Sequence, residues 1–352
     1  MELEYDFVPM GYVATPESGK LYVDVGNAFC SGVLDHHHPD APDACTAMLV
    51  LNHPEYVMDQ VEDDHLTIIP HQYPDLDAIT GAWLARLHAL GKPVWEFHQQ
   101  WADYVCMVDR GFTTLDPAKP VTPYSVFMMR IHLLRKSLPE DVQLASREIL
   151  KVGFDFLDKV MSWLEAGNDI ENGAALIEIG DFDAEVDAID ADLQAYRGDI
   201  QRAELFAASL PLKSGEGKGE VPGLWIEKPE SAMFKSWARG DTENAHDSEG
   251  FVFLGIQVSD ERFILSVDPS SDVYLKGLGD ELEKAEAAKR KELGLERHGE
   301  NRPGYDSPDP WYDGRSPLHN YTIVDSPRNG TMLCGEELRT IFNRYMNNLA
   351  IL

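Results

Sequence analysis

Apolar and polar positions alternate in short blocks over the first 120 residues. Lys20-Leu21-Tyr22-Val23-Asp24, Gly32-Val33-Leu34-Asp35 and Leu66-Thr67-Ile68-Ile69-Pro70 are each a brief apolar run bounded by polar or turn-forming residues. That length and pattern predict strands. Residues 78–90, rich in Ala and Leu and closed by Gly91, predict a helix. Trp101 to Val108 reads as a helix or strand that delivers Asp109. Strands interleaved with helices imply an α/β fold, a mostly parallel sheet with flanking helices.

Further on, the period lengthens. Val126, Met129, Ile131 and Leu134 within 124–166, and Val186, Ile189, Leu193 and Tyr196 within 183–210, recur at helical spacing. Residues 213–220 (Lys-Ser-Gly-Glu-Gly-Lys-Gly-Glu) form a polar, glycine-rich break, the strongest loop or boundary signal in the chain. Beyond it, 224–226, 250–256 and 262–267 read as strands and 278–293 as a charged amphipathic helix. The expected organisation is an α/β catalytic domain over 1–120, a helical connector over 121–212 and an α+β substrate-binding domain over 213–352.

Composition narrows the classes. With 352 residues, 43% hydrophobic and 26% charged, the chain is globular and long enough for two domains. No apolar run is long enough to span a bilayer. The first residues lack the basic start and apolar stretch of a signal peptide, so a cytoplasmic protein without membrane attachment is expected. Cysteines 30, 45, 106 and 334 form no Cys-x-x-Cys pair and read as reduced, mostly buried thiols. The 61 acids against 30 bases give a net charge of −31, which argues against long nucleic acid as a partner. The same charge repels any phosphate, unless arginines or bound divalent cations reverse the field locally.

Two polar clusters follow predicted strands, and ligands of open α/β sheets bind beyond strand carboxyl ends. The first is His71-Gln72-Tyr73-Pro74-Asp75-Leu76-Asp77. One imidazole and two nearby carboxylates in one loop suit hard divalent cations. A helix N-cap explains Asp77 alone, but not His71 and Asp75 as well. The second cluster is Asp35-His36-His37-His38-Pro39-Asp40, three successive histidines preceded by an acid. An acid beside a ligating histidine can fix its tautomer.

Asp35-His36-His37 and His71-x-x-x-Asp75-x-Asp77 resemble the signature motifs of the DHH phosphoesterase superfamily. That superfamily includes RecJ-type nucleases, oligoribonucleases, cyclic dinucleotide phosphodiesterases, exopolyphosphatases and family II pyrophosphatases. The likeness covers residues 20 to 115 and is nearest to exopolyphosphatase- and oligoribonuclease-like members. It implies two Mn²⁺ or Mg²⁺ ions per site. His71 and Asp75 would ligate one ion, and Asp77 and His36 the other. Asp109, in Val108-Asp109-Arg110-Gly111, resembles the last metal-binding aspartate, and Asp24 the aspartate that bridges the ions. His37 corresponds to the histidine at the scissile phosphate, with Asp35 supporting it.

The motif order departs from the superfamily, where the His-x-x-x-Asp-x-Asp motif comes first. A permuted order, or exchange of equivalent strands, keeps such a site in space. Only ten residues separate Asp24 from Asp35, and so short a link favours antiparallel neighbours. That arrangement would put Asp24 and His36 at opposite ends of the sheet. The superfamily's Gly-Gly-Gly-His-like loop has no counterpart here, nor do the basic motifs of the pyrophosphatases.

In the second half, Pro308 to Arg315, with His319 and Asp325 to Thr331, is dense in aromatic and polar residues. It reads either as a platform for a base or phosphate, or as a packed loop with Trp311 buried and Arg315 paired to Asp313. Arg315, Arg328 and His319, with His38 beside the catalytic run, are the candidates for substrate contact. Lys235, Arg239 and Arg302 are further candidate clamps, though single bases are more often ion-pair members. The expected function is hydrolysis of a phosphoanhydride or phosphodiester in a small substrate such as oligophosphate, pyrophosphate or a short nucleotide. A homodimer is compatible with this. The alternatives are a non-catalytic metal- or nucleotide-binding regulator and a metal-dependent hydrolase of another bond.

Overall fold

The computed structural model describes residues 1–38, 40–173, 175–176, 181–245, 249–299, 305–315 and 319–348. Among them are two five-stranded sheets and ten helices, an α/β architecture. The chain divides into two units, residues 1–113 with 119–190 and residues 114–118 with 191–352.

The first unit holds β1 (Glu2–Tyr5), β2 (Lys20–Val23), β3 (Phe29–Cys30), β4 (Val33–Leu34) and β5 (His65–Pro70), in the order β1-β5-β2-β4-β3. β1, β5, β2 and β4 run parallel, and β3 pairs antiparallel with β4 at the edge. Leu21, Tyr22 and Val23 are all buried, as expected of a parallel strand covered on both faces. Around them lie α1 (Thr46–Asn52), α2 (Pro54–Met58), α3 (Leu76–Ala89), α4 (Glu96–Asp109), α5 (Pro123–Arg135) and α6 (Val142–Glu165).

The link from β2 to β4 corrects the antiparallel expectation. The chain turns at Asp24, Gly26 and Asn27, all at positive φ, then descends through β3 and returns as β4. This reversal at the sheet edge makes β2 and β4 parallel, with Tyr22 opposite Val33 and Val23 opposite Leu34. Asp24 and Asp35 therefore leave the sheet at the same end. Gly81 of α3 is the matching concession on the helix side. A Cβ there would lie 2.7 Å from Val23 Cγ1 and 3.4 Å from Thr46 Cγ2, so glycine lets α3 seat closely over β2 and α1.

α7 (Asp183–Arg202) runs from the first unit into the second. The stretch read as a helical connector is thus shared: α5 and α6 belong to the first unit. The second unit carries β6 (Glu204–Pro211), β7 (Lys218–Glu227), β8 (Phe253–Ser259), β9 (Arg262–Val267) and β10 (Ile323–Asp325), in the order β10-β9-β8-β7-β6. Its pairings are antiparallel except β7 with β8, whose crossover contains α8 (Phe234–Gly240). α9 (Leu278–Leu293) and α10 (Gly335–Asn348) complete it. Trp225, Phe253, Phe263, Leu265, Leu338 and Phe342 share its core.

Two readings change here. Residues 204–210 continue as β6 rather than as helix. The glycine-rich break is the β6–β7 hairpin turn, with Gly215 and Gly217 at positive φ, and not a domain boundary. Among the described residues no helix is long and apolar enough to cross a membrane.

Candidate metal centre

The carboxyl ends of β2, β4 and β5 bring the two sequence clusters together. Asp24 directly follows β2 and sits at φ 59°, a left-handed conformation uncommon outside glycine and retained most often where function demands it. Its carboxylate is buried, and its two oxygens face different imidazoles. Oδ1 lies 3.3 Å from His36 Nε2, and Oδ2 lies 3.4 Å from His71 Nε2. Asp75 Oδ2 is 3.8 Å from His71 Nε2, while Asp77 Oδ2 is 3.9 Å and Asp109 Oδ2 is 3.7 Å from nitrogens of His36.

Ligand atoms of Asp24, His71 and Asp75 lie within 4.8 Å of one another, and so do those of His36, Asp77 and Asp109. Asp24, His36 and His37 form a third such group, which overlaps both. The residues fall into two adjoining donor sets with Asp24 between them. The six metal-ligand positions expected from the sequence converge, and Asp24 is among them.

Asp75, Asp77 and His71 are held by backbone groups. Asp75 caps α3, accepting the backbone N–H groups of Asp77 and Ala78, both at 3.1 Å. The cap is thus Asp75 and not Asp77 as the N-cap reading had it. Asp77 lies in the first helical turn, where the helix dipole favours an anion. Its Oδ2 and Oδ1 accept the backbone N–H groups of Thr46 and Ala47, both at 2.8 Å. His71 Nδ1 donates to the carbonyl of Gln72 at 2.9 Å, which turns Nε2 toward Asp24 and makes it the nitrogen available to a cation once deprotonated. Asp109 is the last residue of α4, a helix end that disfavours a carboxylate unless a cation offsets it.

These groups fit a bound cation. Both ring nitrogens of His36 and Asp109 Oδ2 are buried without a hydrogen-bond partner, a rare and costly condition for polar atoms. Burial, then repulsion from Asp24 and Asp109, pushes the Asp77 carboxyl well above its usual value. Burial chiefly raises Asp109, to about 6. Burial also works to raise Asp24, but contacts with His36 and His71 outweigh it and hold that carboxyl far below the usual range. For the histidines burial acts downward, yet Asp24 and neighbouring acids overcome it and lift His36 to about 10 and His71 to about 9.

The raised values favour protonated imidazoles in the metal-free protein, whereas ligation requires them neutral. Loading Mn²⁺ at neutral pH should release protons, from the imidazoles and from the raised Asp77 carboxyl, and the apparent affinity should rise with pH. Calorimetry in buffers of different ionisation enthalpy checks this. A binding heat independent of buffer would contradict it.

His37 is placed differently. Its Nδ1 donates to Asp35 Oδ1 at 2.8 Å, and its backbone N–H reaches the same oxygen at 3.0 Å. Asp35 Oδ2 accepts the backbone N–H of Asn27 at 2.7 Å, so the acid is anchored before it orients the ring. The His37 side chain is 52% exposed, against 1% for His36. Despite partial desolvation, Asp35 and Asp24 raise the His37 pKa.

The remaining candidates have local partners. His38 Nδ1 accepts the backbone N–H of Asp40 at 3.2 Å. Arg315, Arg328 and His319 belong to the second unit. Arg315 grips Asp313 through Nε and Nη2, both at 2.8 Å, and lies over the Tyr305 ring. Trp311 is buried, so the packed-loop reading describes this segment. The backbone N–H of Arg328 donates to Asp309, and the His319 ring meets Tyr312 edge-on. Arg239 is not a phosphate clamp: it is buried and donates to the carbonyls of Phe251 and Val252 and to Ser266 Oγ. Lys235 is exposed, and Arg302 lies outside the described residues.

Two features were missed in the sequence. Thr46 and Ala47 supply donors to the centre, and Cys45 is joined to Cys106 by a disulfide rather than being a reduced thiol. Cys30 and Cys334 are free. No protein-family model and no curated protein matches this chain, so the reading of the centre rests on its own geometry and chemistry.

Proposed function

We propose that the protein is a phosphohydrolase dependent on two divalent cations, Mn²⁺ or Mg²⁺, acting on a phosphoanhydride or phosphodiester in a small substrate. The observation that carries this is Asp24, a buried carboxylate whose two oxygens each face a different histidine of a different donor set. An aspartate shared between two oxygen-rich donor sets would suit the paired cations of two-metal phosphoryl chemistry. The likeness of the two motifs to the DHH phosphoesterases agrees with this reading.

His71 and Asp75 would hold one cation, and His36, Asp77 and Asp109 the other, with Asp24 shared. Bound there, the pair would neutralise phosphoryl oxygens and lower the pKa of a water for attack on phosphorus. That charge also offsets the repulsion a phosphate meets from a chain of net charge −31. His37 supplies the proton chemistry. Asp35 holds its Nδ1–H, so Nε2 is the atom that carries a proton toward the leaving oxygen. Thr46 and Ala47 donate to both oxygens of the Asp77 carboxylate and so preset its orientation.

The Mn²⁺-loaded protein should hydrolyse at least one of pyrophosphate, tripolyphosphate, a generic phosphodiester or a dinucleotide. His37→Gln should keep its metal and lose about 10²- to 10³-fold in kcat. Asp35→Asn should lose less, about tenfold, and move the alkaline limb of the pH–rate profile to lower pH, because Asp35 raises the His37 pKa. Metal bound without turnover across that panel would favour a regulatory protein instead. Equal metal loss in His37→Gln would make that residue a ligand.

A further inference from the structure

The three donors that α1 offers do not all serve the same carboxylate. Thr46 N–H and Ala47 N–H go to Asp77, but the Thr46 hydroxyl donates 2.9 Å to Asp24 Oδ1. We infer that Thr46 is a positioning residue that sets the bridging geometry of Asp24, its hydroxyl holding Oδ1 toward His36 so that Oδ2 is left for His71. The inference rests on the binuclear reading and adds a residue to it.

The physical case is local. Asp24 sits on a turn in the left-handed conformation, so its backbone places the side chain near the centre without fixing the rotation of its carboxylate. Three imidazoles compete for that group, since His36 and His37 both approach Oδ1, at 3.3 and 3.7 Å, and His71 approaches Oδ2. A hydroxyl donor on Oδ1 selects one rotation of the carboxylate. Thr46 is fully buried, and its backbone N–H is tied to Asp77, so the hydroxyl has little freedom to leave. One residue thereby sets the position of a carboxylate from each donor set.

A space-filling role makes the opposite prediction, because the Thr46 methyl faces Gly81 and Val23 lies beside it. Thr46→Val keeps the shape and both backbone donors while removing the hydroxyl. Thr46→Ser keeps the hydroxyl and removes the methyl. The measurement is Mn²⁺ stoichiometry by calorimetry together with the low-temperature electron paramagnetic resonance spectrum. Two ions bridged by Asp24 give an exchange-coupled signal, and isolated ions give a six-line one.

Wild type and Thr46→Ser should bind two ions and show coupling. Thr46→Val should bind the second ion at least ~10-fold more weakly and show the six-line spectrum. Coupling retained in Thr46→Val, or lost to the same degree in Thr46→Ser, would overturn the inference. Should the valine chain fail to fold, Thr46→Ala and Thr46→Ser still decide it by the same spectra. A wild type that binds no pair of ions removes the binuclear reading itself, an outcome separate from failure of the variants alone.

Discussion

Replacing Asp24 with asparagine should remove the paired-metal centre and lower phosphohydrolase turnover by about 10³-fold or more, the largest effect expected of any single substitution. The side chains are nearly isosteric, so the change tests charge and ligation and not packing. A carboxylate offers an oxygen to each donor set, whereas an amide offers one oxygen and a nitrogen that cannot ligate. Asp77 and the half-buried Asp109 then face one cation at most. Equilibrium dialysis should find no more than one Mn²⁺ per chain, against two for wild type. His36 and His71 should also titrate at lower pH in the variant, because Asp24 is the main partner that raises them. Two ions still bound, with turnover within tenfold of wild type, would show that Asp24 is a bystander.

The second large effect concerns the disulfide. Cys45 is the N-cap of α1, immediately before Thr46, and Cys106 lies in α4 three residues before Asp109. The bond thus joins α1, whose donors hold Asp24 and Asp77, to α4, which ends in Asp109, across 61 residues of sequence. Opening a loop of that length restores chain entropy to the unfolded state worth roughly 4 kcal/mol. For a unit of this size that corresponds to a fall in Tm of about 10 °C. Scanning calorimetry of the metal-free protein with and without a dithiol reductant should show this fall. A thiol count on the unreduced, denatured chain should find two, Cys30 and Cys334. Four thiols and an unchanged Tm would mean that the bond does not form in solution.

These effects mark where the sequence could and could not be read. The candidate ligands His71, Asp75, Asp77 and His36 stand in two short motifs behind apolar strands, so their placement at one end of the sheet was legible from local pattern. Asp24 was harder, because ten residues of linker appeared to force its strand and the next into opposite directions. What reconciled them was β3, two residues long and too short to stand out as a strand, which reverses the chain at the sheet edge. The donors of Thr46 and Ala47 were not legible at all. Two are backbone N–H groups, which every residue but proline carries, and only the tertiary position of α1 makes them matter. The disulfide escaped for a related reason, since two cysteines 61 apart say nothing about their separation in space. The glycine-rich stretch at 213–220 was legible as a loop or a boundary, and only the loop reading holds: that turn joins two long paired strands within one unit.

The most direct test of the account is the anomalous difference map of crystals soaked in Mn²⁺. It should show two peaks about 3.5–4 Å apart. One should lie against His71 and Asp75, the other against His36, Asp77 and Asp109, and both within ligand distance of Asp24. A single peak, or manganese bound only at exposed carboxylates away from Asp24, would contradict the binuclear centre on which the proposed chemistry depends.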